Sequence, residues 1–131
     1  MIKTVWCVTL KVSDLKKAIA FYGEILGLDK KYEYSSYAGF QCGGVEIGLS
    51  PGRRESKPVE DAPSVEFVVE DVDAAYETLK AKGVNFIKEP HDEPWGGRQA
   101  SFLDPDGNLL EMVQFDWAKY FEISLKGAKK Q

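Results

Sequence analysis

CVTLKVSDLKKAIAFY, Cys7 to Tyr22, and SVEFVVEDVDAAYETL, Ser64 to Leu79, read as two copies of one unit. Val8 meets Val65, Val12 meets Val69, Asp14 meets Asp71 and Ala18 meets Ala75. Leu10 meets Phe67 with its apolar character kept. Such self-similarity decides the architecture before any single element does. Each copy opens with alternation. Val8, Leu10 and Val12 share one face of a strand, as do Val65, Phe67 and Val69. A helical period follows, with Leu15, Ala18, Ile19, Tyr22 and Leu26 on one stripe and Val72, Ala75, Tyr76 and Leu79 on its counterpart. Ser13 or Asp14 can cap the first helix, and Glu70 or Asp71 the second. Gly27 and Gly83 stand where the helices should end.

Three further strands complete each copy. In the first they are LDKKYEY and YAGFQC, turning at Ser35-Ser36, then VEIGLS after the two-residue turn Gly43-Gly44. In the second they are VNFIKEP, RQASFL and NLLEMVQF, with the loop HDEPWGG and the turn Asp104-Pro105-Asp106-Gly107 between them. The expected fold is α+β. Two βαβββ modules form a curved mixed sheet around a cleft, with the helices on the outer face. Module one spans about residues 1–50 and module two about 64–115. A charged, proline-rich linker fills about 51–63, and a short amphipathic helix about 116–125.

Strand parity then sorts the polar residues. If Val8, Leu10 and Val12 face the helix, Cys7, Thr9 and Lys11 face the cleft, and so do Ser64 and Glu66. On the last strand of each copy Val45, Ile47 and Leu49 match Leu110, Met112 and Gln114. Glu46 and Glu111 therefore point the other way, at positions that correspond by the repeat. Glu111 interrupts an apolar strand, and burying a carboxylate costs several kcal/mol unless it is paired. Carboxylates crowded in one concavity need a cation, a proton or hydrogen-bond donors.

Composition narrows the function. The 131 residues are 44% hydrophobic and 29% charged, with a net charge of −4 and a pI near 5.1. This balance argues against nucleic-acid and anionic-membrane partners. Cys7 and Cys42 form no CxxC or Cys/His cluster. With no signal-peptide pattern and no apolar run of about eighteen residues, a cytoplasmic protein with reduced thiols is expected.

VTLKVSDLKKAIAFYGEILGL, VEFVVEDVDAA and FLDPDGNLLEMVQ, in this order and spacing, resemble the vicinal oxygen chelate superfamily. That superfamily includes glyoxalase I, bleomycin-resistance proteins, fosfomycin-resistance enzymes, extradiol dioxygenases and methylmalonyl-CoA epimerase. The resemblance implies paired βαβββ modules, often in a homodimer, around a ligand cleft. It also implies a divalent metal held by a His on each module's first strand and a Glu on the last strand. Carried over, Glu111 matches that Glu and Glu46 an occasional extra ligand, but the His positions fall on Cys7 and Ser64. Serine is a poor ligand, and one Cys, two Glu and a Ser are an unusual set for a divalent ion. The single histidine, His91, is expected in a surface loop.

The leading expectation is therefore a small-molecule binding protein of the bleomycin-resistance type without a cofactor. Cys7, Thr9, Glu46, Ser64, Glu66, Trp95, Arg98 and Glu111 are its candidate ligand-binding residues. Aromatic candidates for stacking are Trp6, Tyr34, Tyr37, Phe40 and Trp95. Core or dimer packing is the expected role of Trp6 and Phe40. The alternative is an enzyme, with Glu111 as catalytic residue, either in an atypical metal site or as a general base. A protein-interaction domain is the third reading.

Overall fold

The computed structural model describes residues 1–53 and 62–122. Both copies of the repeat fold as βαβββ. In the first, β1 (Cys7–Val12) leads into α1 (Leu15–Ala20), then β2 (Asp29–Tyr34), β3 (Tyr37–Cys42) and β4 (Val45–Pro51). In the second, β5 (Ser64–Val68) leads into α2 (Val72–Ala81), then β6 (Asn85–Asp92), β7 (Gly97–Leu103) and β8 (Leu109–Phe115). The sheets are ordered β1-β4-β3-β2 and β5-β8-β7-β6. The first and last strands of each copy are parallel and the remaining pairs antiparallel. The fold is α+β, as its strand and helix periods predict.

The caps fall on the aspartates. Asp14 accepts from the Lys17 amide at 3.1 Å and Asp71 from the Ala74 amide at 3.0 Å. Gly27 and Gly83 follow the helices at φ of 78° and 86°, a conformation that side chains with a Cβ resist. One local feature escapes the 3.6-residue period. Phe21–Ile25 form a π-helical turn, in which the Leu26 amide donates to the Phe21 carbonyl at 2.9 Å. The extra residue brings Phe21 and Tyr22 inward together, 5% and 0% exposed, where the stripe predicted Tyr22 alone.

In each unit the helix covers one sheet face. Val12, Ala38, Phe40, Ile47 and Leu49 are buried with Ala18 and Tyr22 in the first. Ala100, Phe102, Leu110 and Met112 are buried with Val72 and Leu79 in the second. Phe40 is core, as expected. Trp6 is not, being 72% exposed. It precedes β1, where the Glu46 amide donates to the Trp6 carbonyl at 2.8 Å. Residues 117–122 are helical, with Asp116 accepting from the Lys119 amide at 3.2 Å. The rest of the expected tail helix, and residues 54–61 of the expected linker, lie outside the described residues.

The chain does not divide into consecutive halves. Asp104–Asn108, the turn between β7 and β8, packs within the first unit. Asp104 Oδ1 accepts from the amides of Asp106 and Asn108, at 2.9 and 2.8 Å. Its Oδ2 accepts from the Tyr22 hydroxyl and from Asn108 Nδ2, each at 2.8 Å. Asn108 Nδ2 also donates to the Lys11 carbonyl at 3.0 Å, and Asp106 Oδ1 accepts from the Ser13 amide at 2.8 Å. Gly107, at φ 82°, closes the turn. Burial and the Asp104 charge push the Tyr22 hydroxyl far above its ordinary pKa, so it stays a donor.

Asp104→Ala leaves a buried hydroxyl and a buried amide nitrogen short of an acceptor, at about 1–3 kcal/mol each. Urea unfolding is expected to show a loss of roughly 3 kcal/mol or more. Tyr22→Phe, which removes one donor and little volume, should cost about 1 kcal/mol.

Candidate functional site

Each sheet has a second face, away from its helix, and the polar residues gather there. In the first unit Cys7 is the register partner of Glu46, and Thr9 of Gly48. Glu46 is only 4% exposed. Its Oε2 accepts from the Tyr32 hydroxyl at 2.6 Å and from the Tyr37 hydroxyl at 3.3 Å, and its Oε1 lies 3.2 Å from Lys31 Nζ. Hydrogen bonding from Tyr32, helped by Lys31 and Cys7, holds the Glu46 carboxyl below the usual range against its own burial. Cys7 Sγ lies 3.5 Å from both the Thr9 and Tyr37 hydroxyls. Bonding to Cys7, with burial, pushes the Tyr37 hydroxyl up. A bulge in β2 makes this arrangement, because Lys30 pairs with Phe40 and Tyr32 with Gly39, leaving Lys31 as the extra residue. Two consecutive residues can then reach one carboxylate.

In the second unit Glu66 and Glu111 are register partners on adjacent parallel strands. Ser101 pairs with Glu111, and Lys88 with Ser101, so the four form one row. Burial first, then the neighbouring Glu66, push the Glu111 carboxyl above its ordinary range, and Lys88 partly offsets this. Along the same face His91 Nδ1 lies 2.9 Å from the Glu89 carbonyl and Nε2 lies 3.0 Å from Glu93 Oε1. Gln99 donates to that carboxylate oxygen at 3.4 Å, and its own Oε1 is buried without a partner.

Several expectations change. His91 is not in a loop; β6 continues through it, with register shifts between Phe86 and Lys88 and between Lys88 and His91 that carry the strand past Pro90. Glu46 and Glu111 are not equivalent in register. Cys7 pairs with Glu46, but its counterpart Ser64 pairs with Leu109. The position equivalent to Glu111 is thus Gly48, the partner of Thr9. A shift of two residues keeps the face, so parity alone could not expose it.

Arg98 lies on the opposite face from Glu111, one residue out of phase with Gln99. It is forked onto Asp73 of α2 at 2.9 and 3.0 Å and reaches Asp92 at 3.2 Å. Trp95 packs against Phe115 and Tyr120, with ring centroids 5.6 and 6.5 Å away, and lies over Gly97 where a Cβ would collide. Ser64 is exposed at the edge strand β5, and Tyr34 is 66% exposed. Lys31, Tyr32, Lys88 and Gln99 escaped the sequence reading. Tyr32 shares parity with Tyr34 and was findable; Lys31 depends on a bulge that no local signal marks.

The donor set does not fit a divalent ion of the kind the resemblance implies. Both oxygens of Glu46 are engaged by internal donors, and neither first strand offers an imidazole. Among the described residues no three His, Cys, Asp or Glu side chains gather within reach of one ion.

A family model for the Glyoxalase/Bleomycin resistance protein/Dioxygenase superfamily matches residues 5–112. The chain belongs to this superfamily. Its relatives there include glutathione transferase FosA of Serratia marcescens, which is 34% identical, with 86% of this chain and 81% of FosA covered. Among solved structures, the fosfomycin resistance protein FosX of Listeria monocytogenes, in complex with Mn(II) and sulfate, is similar with a TM-score of 0.79 and 26% identity. That match covers 95% of this chain and 99% of FosX. TnmS3, an antibiotic binding protein from Streptomyces sp. CB03234, is similar with a TM-score of 0.74 and 29% identity, covering 88% and 98%. The superfamily thus spans enzymes and binders, and its name leaves the activity of this chain open.

The two carboxylates predict opposite pH behaviour. The depressed Glu46 adds stability that is fully present above its unfolded pKa of about 4.3 and is lost as pH falls through the lower folded value. Glu46→Gln should therefore melt earlier than wild type at pH 7, with the gap closing in acid. The raised Glu111 carries a penalty that grows as pH rises from about 4.3 through its folded value. Glu111→Gln should melt later than wild type at pH 7 and match it in acid. Thermal scans from pH 3 to 8 check both.

Proposed function

We propose that this protein binds a small molecule rather than transforming it, with Glu111 as a hydrogen-bonding carboxylate for a polar or cationic ligand and without a divalent metal. The observation that carries this reading is the fate of the metal-type carboxylate Glu46. It is buried and occupied by Tyr32, Tyr37 and Lys31, beside a Cys7 that stands where the superfamily's enzymes place a histidine. A carboxylate so engaged has little lone-pair capacity to give an ion. TnmS3, an antibiotic binding protein, is a structural neighbour of this class. We take the working form to be a cytoplasmic homodimer. Among the described residues no helix is long and apolar enough to cross a membrane.

A second reading has its own support. Burial and the neighbouring Glu66 raise the Glu111 carboxyl above its ordinary range, which makes it a candidate to move a proton. FosA is named as a glutathione transferase and FosX as a fosfomycin resistance protein. In that reading Glu111 acts as a metal-free general base.

Calorimetric titration of metal-stripped protein with zinc, nickel, manganese and, anaerobically, ferrous iron separates metal-dependent enzymes from the rest. No stoichiometric tight binding is expected. Tight binding that Glu111→Gln abolishes would overturn the metal-free reading. A thermal-shift screen of cationic, aromatic and antibiotic-like compounds should then yield a ligand whose affinity falls roughly tenfold or more in Glu111→Gln. Turnover of glyoxalase-type or epimerase-type substrates, lost in the same variant, would favour the enzyme.

A further inference from the structure

Gly39 and Gly48 are cross-strand partners in the middle of the first sheet. On the polar face the Tyr32 ring comes within 2.7 Å of where a Cβ on Gly39 would stand, and the Tyr37 ring and hydroxyl fill the place of one on Gly48. The rings therefore lie down on the sheet, which only two side-chain-free positions permit. Their hydroxyls are pinned to Glu46. Tyr34 joins them, with ring centroids 5.5 Å from Tyr34 to Tyr32 and 5.9 Å from Tyr32 to Tyr37. Rings fixed in advance lose little side-chain entropy when a flat molecule stacks on them.

A positive charge stands at the end of this surface away from Glu46. Lys11 is the register partner of Ser50, with Nζ 3.4 Å from Ser50 Oγ. Among the described residues Lys11 has no carboxylate partner. Tyr37, one residue before the Ala38–Leu49 pair, falls level with Ser50, and Tyr34 is the partner of Tyr37. Lys11, Ser50, Tyr37 and Tyr34 thus form one row across four strands. The backbones of Glu46 and of its neighbour across Gln41, Asp29, stand in the row four residues along, about 13 Å away at strand spacing, and the Glu46 carboxylate meets this surface only at the Tyr32 and Tyr37 hydroxyls. Glu46 is in any case engaged by Lys31.

We propose that this row is a subsite for a planar aromatic anion, the ring stacking on Tyr34 and Tyr37 and the acid group reaching Lys11. The inference rests on the binding reading but draws on the first unit alone, without Glu111.

The test titrates the full 15N-labelled chain with 2-naphthoate, 2-naphthamide and 2-naphthylmethylammonium. Naphthoate at concentrations on the order of 1 mM should shift the amides of Lys11, Tyr34 and Tyr37. It should bind about three- to tenfold more tightly than the amide. Lys11→Met should bring naphthoate down to the level of naphthamide, and Tyr34→Ala should weaken both. Each residue is exposed, so both variants should stay folded. The proposal is overturned if no shift appears along this row, if the ammonium compound binds as well as naphthoate, or if Lys11→Met keeps the preference. Naphthoate binding that needs Glu111 and leaves the row unshifted would sink this subsite while the binding reading survives. Shifts along the row in a protein that also shows Glu111-dependent turnover would do the reverse.

Discussion

The Asp104 carboxylate is the interaction on which the placement of the other residues depends. It collects four donors in a nearly dry setting: two amides of its own turn, the Asn108 side chain and the Tyr22 hydroxyl. A carboxylate out of water is costly until its lone pairs are filled, so the arrangement is all or nothing. Once filled, it locks a turn of the second repeat into the first unit, against the helix that carries Tyr22 and the strand that ends at Val12. β8 starts at the next residue, Leu109. The register that sets Glu111 opposite Glu66 and Ser101 therefore begins from a turn with little freedom.

From that frame the two unusual carboxylates diverge through their neighbours. Glu46 meets hydroxyls and an ammonium and stays ionised at low cost. Glu111 meets another carboxylate and partial burial, and resists ionisation. The same residue type on the last strand of each copy is thus a structural anchor in one and a carboxyl crowded by another carboxylate in the other. The difference traces to register, since Glu46 stands beside Cys7 and Glu111 stands one strand-pleat further along, level with Gly48 of the first copy.

Glycine then decides what the first unit's face can be. At Gly48 the absent side chain leaves room for Tyr37, and at Gly39 for Tyr32. A residue with a Cβ at either position would lift a ring off the sheet and release its hydroxyl from Glu46. Neither glycine has a positive φ, so their role here is space rather than backbone conformation.

Much of this was legible in the chain itself. The repeat, the aspartate caps, the glycine stops, the hairpin at Gly43-Gly44 and the inward and outward parity of the strands are local or period-two properties, so neighbouring residues determine them. Parity also placed Cys7, Thr9, Glu46, Glu66 and Glu111 on the faces away from the helices. What parity could not do was distinguish registers two residues apart, and it equated Glu46 with Glu111 for that reason. Nor could it foresee the extra residue at Lys31, the continuation of β6 through Pro90 to His91, or Asp73 of α2 drawing Arg98 to the helix face. Those depend on which strands lie side by side and on what each side chain finds across the gap. The sequence determined which face each side chain takes, because that follows from chain geometry; the tertiary structure decided which side chains meet, because hydrogen bonds and charges act between residues distant along the chain.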